Sequence, residues 1–224
     1  MRVALFGGSF DPPHRGHVAL ARLARERFAL DRVIVTPVGA QPLKQGSTPA
    51  SFEDRVEMAR LAFTGEPGVE ISLLDAPHAD GRSNYTVDTV EVLRRQLNPD
   101  DALFCILGAD SLLGIRKWRR PADLLLACDF IVGARPGGEL SDAEAALPET
   151  IEARLLPTEL PATRLLELTG RNGRRSRLYL LMDFSEDISS SEIRDELRGG
   201  GDPASYLCPA VLEYIRAHQL YRHL

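Results

Sequence analysis

The chain alternates short, nearly continuous apolar runs with stretches whose apolar residues recur every three or four positions. Arg2 to Phe6 reads as a first strand closed by glycine, and Leu20, Leu23, Ala24 and Phe28 then stripe one face of a helix. RVIVT at 32–36 is a second, β-branched run. Three prolines and two glycines across 37–50 predict a long exposed loop, after which Ser51-x-x-Asp54 resembles a capping box opening a helix to about Thr64. Val69 to Leu73 predicts a third strand, and Val87, Val90, Leu93 and Leu97 a further helix. Ala102 to Leu107 is apolar throughout, as a strand covered on both faces should be. Helical segments at 109–116 and 121–127 lead to a fifth strand, Phe130 to Ala134.

Strand and helix alternating in this way imply right-handed crossovers and an α/β fold built on a doubly wound, Rossmann-like parallel sheet. Beyond residue 136 the pattern weakens. Residues 138–177 read as an irregular insertion, Leu178 to Met182 as a sixth strand, and Ser190 to Arg198 and Pro209 to Gln219 as two short helices. The expected division is a main domain over 1–184 and a small helical C-terminal part over 185–224.

With 224 residues the chain is long enough to bury a sizeable core. Its 27 basic and 32 acidic side chains give a net charge of −5, which argues against a protein that coats nucleic acid. Individual phosphate-bearing ligands respond to local charge and stay open. Cys105, Cys128 and Cys208 form no CxxC pair and read as thiols in a reducing compartment. Neither a signal peptide nor an apolar run long enough for a membrane span is visible, so the expectation is a soluble cytoplasmic protein; homo-oligomerisation is left open.

The segment Gly7-Gly8-Ser9-Phe10-Asp11-Pro12-Pro13-His14-Arg15-Gly16-His17 lies between the first strand and the first helix, where open α/β sheets place their ligand crevice. Glycines admit close backbone approach, and a helix N-terminus favours anions. His14 and His17, at i and i+3, fall on one side of the first helical turn and suit phosphate handling. The stretch is neither a Walker A loop nor GxGxxG. Two other readings stand beside this one: a plain Gly-rich turn, and a metal site shared with Asp11.

GSFDPPHRGH resembles the (H/T)xGH signature of the nucleotidyltransferase superfamily, and its GGSFDPPHxGH form is similar to that of the bacterial nicotinate-nucleotide adenylyltransferases. Four further stretches match that family in order. Asn84 to Thr89 resembles its S-Y-T-x-D-T segment, and Gly108 to Ser111 its G-x-D motif, with Lys117-Trp118 following. Ala134 to Gly137 resembles its fifth-strand exit, and Ile188 to Arg194 its I-S-S-T-x-I-R motif. The resemblance spans residues 1–221 and leaves 138–183 unsupported. The chain departs from the pattern at Pro42-Leu43-Lys44, where the family often has Pro-His-Lys, and at Ser191, where threonine is usual.

The resemblance implies transfer of AMP from ATP to nicotinate mononucleotide, with Mg²⁺ carried on the ATP phosphates and no metal site on the protein. It implies His14, His17, Lys44 and Arg194 as the catalytic set, and Gly7, Gly8, Ser9, Phe10, Gly108, Asp110, Ser190 and Ser191 around ATP. On the acceptor side it implies Trp118 stacking on the pyridine, Arg135 and Lys44 near phosphate, Asp110 on a ribose hydroxyl, and amides beside Tyr85 and Thr86 for the carboxylate. Each residue also has a plain reading. Asp110, Thr86 and Ser189 to Ser191 suit helix caps, Trp118 suits packing, and Lys44 and Arg135 suit solvated charges. Arg171, Arg174, Arg175 and Arg177 lie outside every motif and read as a solvated loop or hairpin, ahead of a subunit contact or phosphate clamp. Other functions compatible with the motifs are adenylyl transfer to nicotinamide mononucleotide or phosphopantetheine, and a non-catalytic nucleotide sensor. An RNA-directed synthetase is disfavoured by the short length and acidic balance.

Overall fold

A computed structural model of the chain describes residues 1–40, 49–134, 140–185 and 188–221. Its strands are β1 (Arg2–Gly8), β2 (Arg32–Pro37), β3 (Val69–Ile71), β4 (Ala102–Gly108), β5 (Asp129–Gly133), β6 (Ile151–Leu156), β7 (Thr163–Gly170) and β8 (Arg175–Leu181). They form one sheet in the order β3-β2-β1-β4-β5-β8-β7-β6. The helices are α1 (Arg15–Arg27), α2 (Phe52–Ala62), α3 (Thr86–Gln96), α4 (Ala109–Leu113), α5 (Pro121–Leu125), α6 (Leu140–Ala146), α7 (Ser190–Arg198) and α8 (Pro209–Ala217). The chain groups into two compact units.

The first unit comprises Met1–Phe6, Ala24–Val33 and Tyr85–Ser185. Here β1 pairs with β4, β4 with β5 and β5 with β8, all parallel. Leu103 to Leu107 of β4 are buried in succession, which is why that run is apolar without alternation. Phe28 packs edge-on to Tyr179, with ring centroids 4.8 Å apart, and lies 6.0 Å from Phe104.

The insertion expected to be irregular is ordered. Helix α6 is followed by an antiparallel pair, β6 with β7, and β7 pairs antiparallel with β8, so the sheet is mixed. The basic cluster sits in the β7–β8 hairpin and its second strand. Gly173, with φ 77°, makes the turn, Arg174 donates to the Leu126 carbonyl at 3.1 Å, and Arg175 pairs with Glu167. These strands alternate exposed charge with buried Leu166, Leu168, Leu178 and Leu180. Leu165, Leu166 and Leu168 in sequence fit a helical stripe as well as a strand, so the period alone is ambiguous there.

The second unit comprises Gly7–Leu23, Ile34–Asn84 and Glu186–Leu224. The two C-terminal helices therefore share their core with parts of the N-terminal half. Met58 of α2 packs with Ile193 of α7, with Val211, Leu212 and Ile215 of α8, and with Tyr221. Ser51 caps α2 as its sequence predicts, its Oγ accepting from the Asp54 N–H at 3.0 Å.

Candidate active site

Within the second unit, β1 ends at Gly7 and Gly8, and Val38 N–H donates to the Gly8 carbonyl at 2.9 Å. Phe10 then takes a left-handed conformation, φ 49°, and buries its ring against Phe63 and His17. His14 occupies the position before α1, its carbonyl accepting from His17 N–H at 2.9 Å. In return, His14 N–H donates to His17 Nδ1 at 3.1 Å, the reciprocal half of a capping box supplied by imidazole. The two ring centroids are 3.7 Å apart, so the i, i+3 spacing does bring both histidines to one side. His14 is buried, and that burial pulls its pKa down to about 4, opposed only by Glu192. Its Nδ1 has no hydrogen-bond partner among the described residues.

Helix α7 is stitched to the same loop. Ser189 and Glu192 form a full capping box, so the cap is Ser189 rather than either serine after it. Ser190 Oγ donates to the Pro12 carbonyl at 2.9 Å. Arg194 donates through Nη1 to the Asp11 carbonyl at 2.6 Å and through Nη2 to Ser191 Oγ at 3.1 Å. Gly7 through Phe10, His14, His17, Ser190, Ser191 and Arg194 thus belong to one unit.

Two residues of this unit are absent from the sequence-derived set. Arg55 is only 2% exposed and donates to the Ser9 carbonyl at 2.7 Å, fastening the loop from α2. Its signal was an arginine within a helix whose neighbours Val56, Met58 and Ala59 are core. Asn84 is the other: its Oδ1 accepts from Ala40 N–H at 2.9 Å and its Nδ2 donates to the Ala76 carbonyl at 3.0 Å, tying two loops together.

The first unit carries the remaining described candidates. Gly108 is the N-cap of α4, and a Cβ there would meet nothing within 4 Å, leaving open space at the carboxyl end of β4. Asp110 is therefore the second helical residue, not the cap, and is exposed. Tyr85 is the N-cap of α3 and supplies no side-chain cap bond; Thr86 is the first helical residue. Trp118 is half-buried and follows a 3₁₀ turn over Ile115–Lys117. Arg119, which no motif singled out, places its guanidinium 4.5 Å from the centre of the Tyr85 ring. Lys44 and Arg135 lie outside the described residues. Among the described residues, no group of three or more His, Cys, Asp or Glu is arranged to hold a metal ion, and no helix is long and apolar enough to cross a membrane.

Residues 5–196 match the family model described as cytidylyltransferase-like. A "probable nicotinate-nucleotide adenylyltransferase" of Solibacter usitatus is 41% identical over 221 residues, covering 99% of this chain and all of the relative. The chain belongs to the nicotinate-nucleotide adenylyltransferase family. A relative of the same description from Pelobacter propionicus is 39% identical, covering 99% of this chain and 98% of its own. Among solved structures, Plasmodium falciparum nicotinic acid mononucleotide adenylyltransferase complexed with NaAD superposes with a TM-score of 0.70 at 20% identity, covering 98% of this chain and 97% of that one. At that identity the likeness speaks for the α/β nucleotidyltransferase fold, and it extends over almost the whole length of both chains.

Proposed function

We propose that the protein transfers AMP from ATP to the 5′-phosphate of nicotinate mononucleotide. A phosphate oxygen of the mononucleotide forms a bond to the α-phosphorus of ATP as the bond to the leaving pyrophosphate breaks, giving nicotinate adenine dinucleotide. The nucleophile is already ionised, so no general base is required, and catalysis rests on positioning and on neutralising charge. The observation that carries this reading is the His14–His17 pair at the start of α1, with Arg194 bonded to the loop just before it.

His14, neutral at pH 7 through burial, and His17, whose Nδ1 is engaged as an acceptor, each offer the ligand N–H donors beside a helix N-terminus. Arg194 offers a fixed positive fork to the phosphates, and Lys44 a second cation. The backbone of Gly7 to Phe10, with Ser190, Ser191, Gly108 and Asp110, completes the ATP contacts. Tyr85, Thr86, Asp110, Trp118 and Arg135 serve the acceptor: Trp118 by stacking, Arg135 at the phosphate, and the uncapped amides opening α3 at the nicotinate carboxylate. The carboxylate of the loop, Asp11, is bonded to Tyr221 and buried. Mg²⁺ carried on the ATP phosphates would supply charge neutralisation there, beside the His14, His17 and Arg194 donors. This is a cytoplasmic activity on two soluble, anionic substrates.

Pyrophosphate release with ATP and each of nicotinate mononucleotide, nicotinamide mononucleotide and phosphopantetheine tests the reading. The acid mononucleotide is expected to give the highest kcat/KM. Preference for the amide would overturn the acceptor assignment, and ATP binding without turnover on any acceptor would favour a sensor.

A further inference from the structure

Asp11 is unusual in the phosphate loop because it is a carboxylate only 1% exposed. Its Oδ1 accepts from the Tyr221 hydroxyl at 2.7 Å, while its Oδ2 has no hydrogen-bond partner among the described residues. Its charge faces Arg55 from α2 and Arg194 from α7, with the Ala50 backbone and Tyr221 completing its surroundings. Tyr221 reaches it because the chain turns after α8 through two left-handed residues, Gln219 at φ 52° and Tyr221 at φ 68°. The tyrosine ring is buried, with its hydroxyl 3.9 Å from Met58 Sδ. Asp11 therefore meets Arg194 in two ways: its carbonyl takes the Nη1 hydrogen bond, and its carboxylate attracts the same guanidinium.

We propose that Asp11, seated by the Tyr221 hydroxyl, is the positioning residue for Arg194, setting where that guanidinium meets the reacting phosphates. This rests on the adenylyl-transfer reading. An arginine held by a carbonyl on one nitrogen and by Ser191 on the other has a fixed fork plane, and a fork so fixed loses little freedom when phosphate charge shifts. The carbonyl of Asp11 keeps its place only while the side chain beyond it is anchored. With the Tyr221 hydroxyl gone, the carboxylate loses a hydrogen bond that favours its charged form, and burial drives it further toward the neutral acid. Neutral Asp11 no longer attracts Arg194, and the guanidinium is free to turn to solvent. Arg55 also answers the same carboxylate but donates to the Ser9 carbonyl, so it supports the loop without fixing Arg194.

Tyr221→Phe removes one oxygen and keeps the ring. Its kcat is expected to fall about tenfold, with the KM for nicotinate mononucleotide within about twofold of the parent. The acidic limb of the kcat profile should move to higher pH, because Asp11 loses a bond that favours its charged form. Loss of stability alone would not move that limb. Asp11→Asn keeps an acceptor for Tyr221 but carries no charge. It should lower kcat at neutral pH, and adding Tyr221→Phe to it should then shift no limb. A folded Tyr221→Phe protein with the parent's kcat and pH profile would overturn the proposal. If Tyr221→Phe does not fold, an Asp11→Asn protein with parental kcat would do the same. Should the parent itself release no pyrophosphate, the adenylyl-transfer reading fails separately. The Arg194 positioning is then read from the dissociation constant of Mg²⁺-ATP, which Tyr221→Phe should raise about fivefold and which, if unchanged, counts against it.

Discussion

His14 donates its backbone N–H to Nδ1 of His17, and this one bond gives the second histidine two duties. A nitrogen that accepts carries no proton, so in this arrangement the His17 ring's N–H is the one on Nε2. The inner nitrogen caps α1, and the outer one carries the donor that the proposed reaction uses.

Replacing His17 separates these duties. His17→Ala is expected to lower kcat by about 10² to 10³, the cost of one preorganised donor to developing charge, and to lose about 1 kcal/mol of stability with the cap bond. His17→Gln restores a side-chain acceptor at the capping-box position. It should recover most of the stability while kcat stays low. Steady-state kinetics beside urea unfolding would show the split, and wild-type kcat in the alanine variant would remove His17 from the mechanism.

His14 makes stability depend on pH. Its folded pKa is held at about 4, against an ordinary value of 6.5. Between those values the unfolded chain takes up a proton that the folded chain refuses. Stability is therefore full above the unfolded pKa and falls as pH drops toward 4, by about 3 kcal/mol in all. Asp11 works in the opposite sense, since burial raises its pKa and favours the fold as it protonates. Comparing the parent with His14→Gln isolates the histidine. From about pH 7.5 to about pH 4.5 the parent should lose stability more steeply than the variant, and equal slopes would contradict the buried neutral imidazole.

Arg55 is a charge that the fold cannot easily do without. Arg55→Met fills similar space but withdraws the donor from the Ser9 carbonyl and a positive neighbour from Asp11. The expected cost is about 3 to 5 kcal/mol, because the carboxylate stays buried with less compensation. The midpoint of urea unfolding measures it, and a change below about 1 kcal/mol would mean that the site relaxes around the gap.

Trp118 tests the acceptor side. Trp118→Ala should raise the KM for nicotinate mononucleotide by about tenfold or more, the worth of one stacked ring, and Trp118→Phe should recover part of it. The KM for ATP should change by less than about twofold. Equal effects on both substrates would return Trp118 to the packing reading.

The crossover part of the fold was legible because its strands are buried on both faces and its helices striped, so two periods separate cleanly at β4 and α3. Strand β8 was legible too, its core residues 178–181 falling within the expected Leu178 to Met182, but β6 and β7 were not: one face meets water, charged residues alternate with leucine, and adjacent leucines blur the period. The histidines were legible because chemistry and helix geometry coincide at i, i+3. The association of Asp11 with Arg55 and Tyr221 was not, since what joins them is neither spacing nor periodicity but a buried charge and its partners, assembled from three distant stretches. Ser189 shows a finer limit. Three consecutive serines all suit a cap, and only the helix geometry selects the first.

The Asp11–Tyr221 hydrogen bond spans 210 residues of chain. A ribosome delivers the carboxylate long before its phenol, so the loop after β1 waits on the sequence that follows α8. Until then Asp11 has no tyrosine to accept from and no reason to leave water. A contact of such sequence separation is closed late, after the entropy of the intervening loop has been met by other contacts. The nascent chain can therefore build its central strands well before its phosphate loop is set, and a chain interrupted ahead of Tyr221 would keep the histidines in sequence while lacking the anchor that seats the residue beside them.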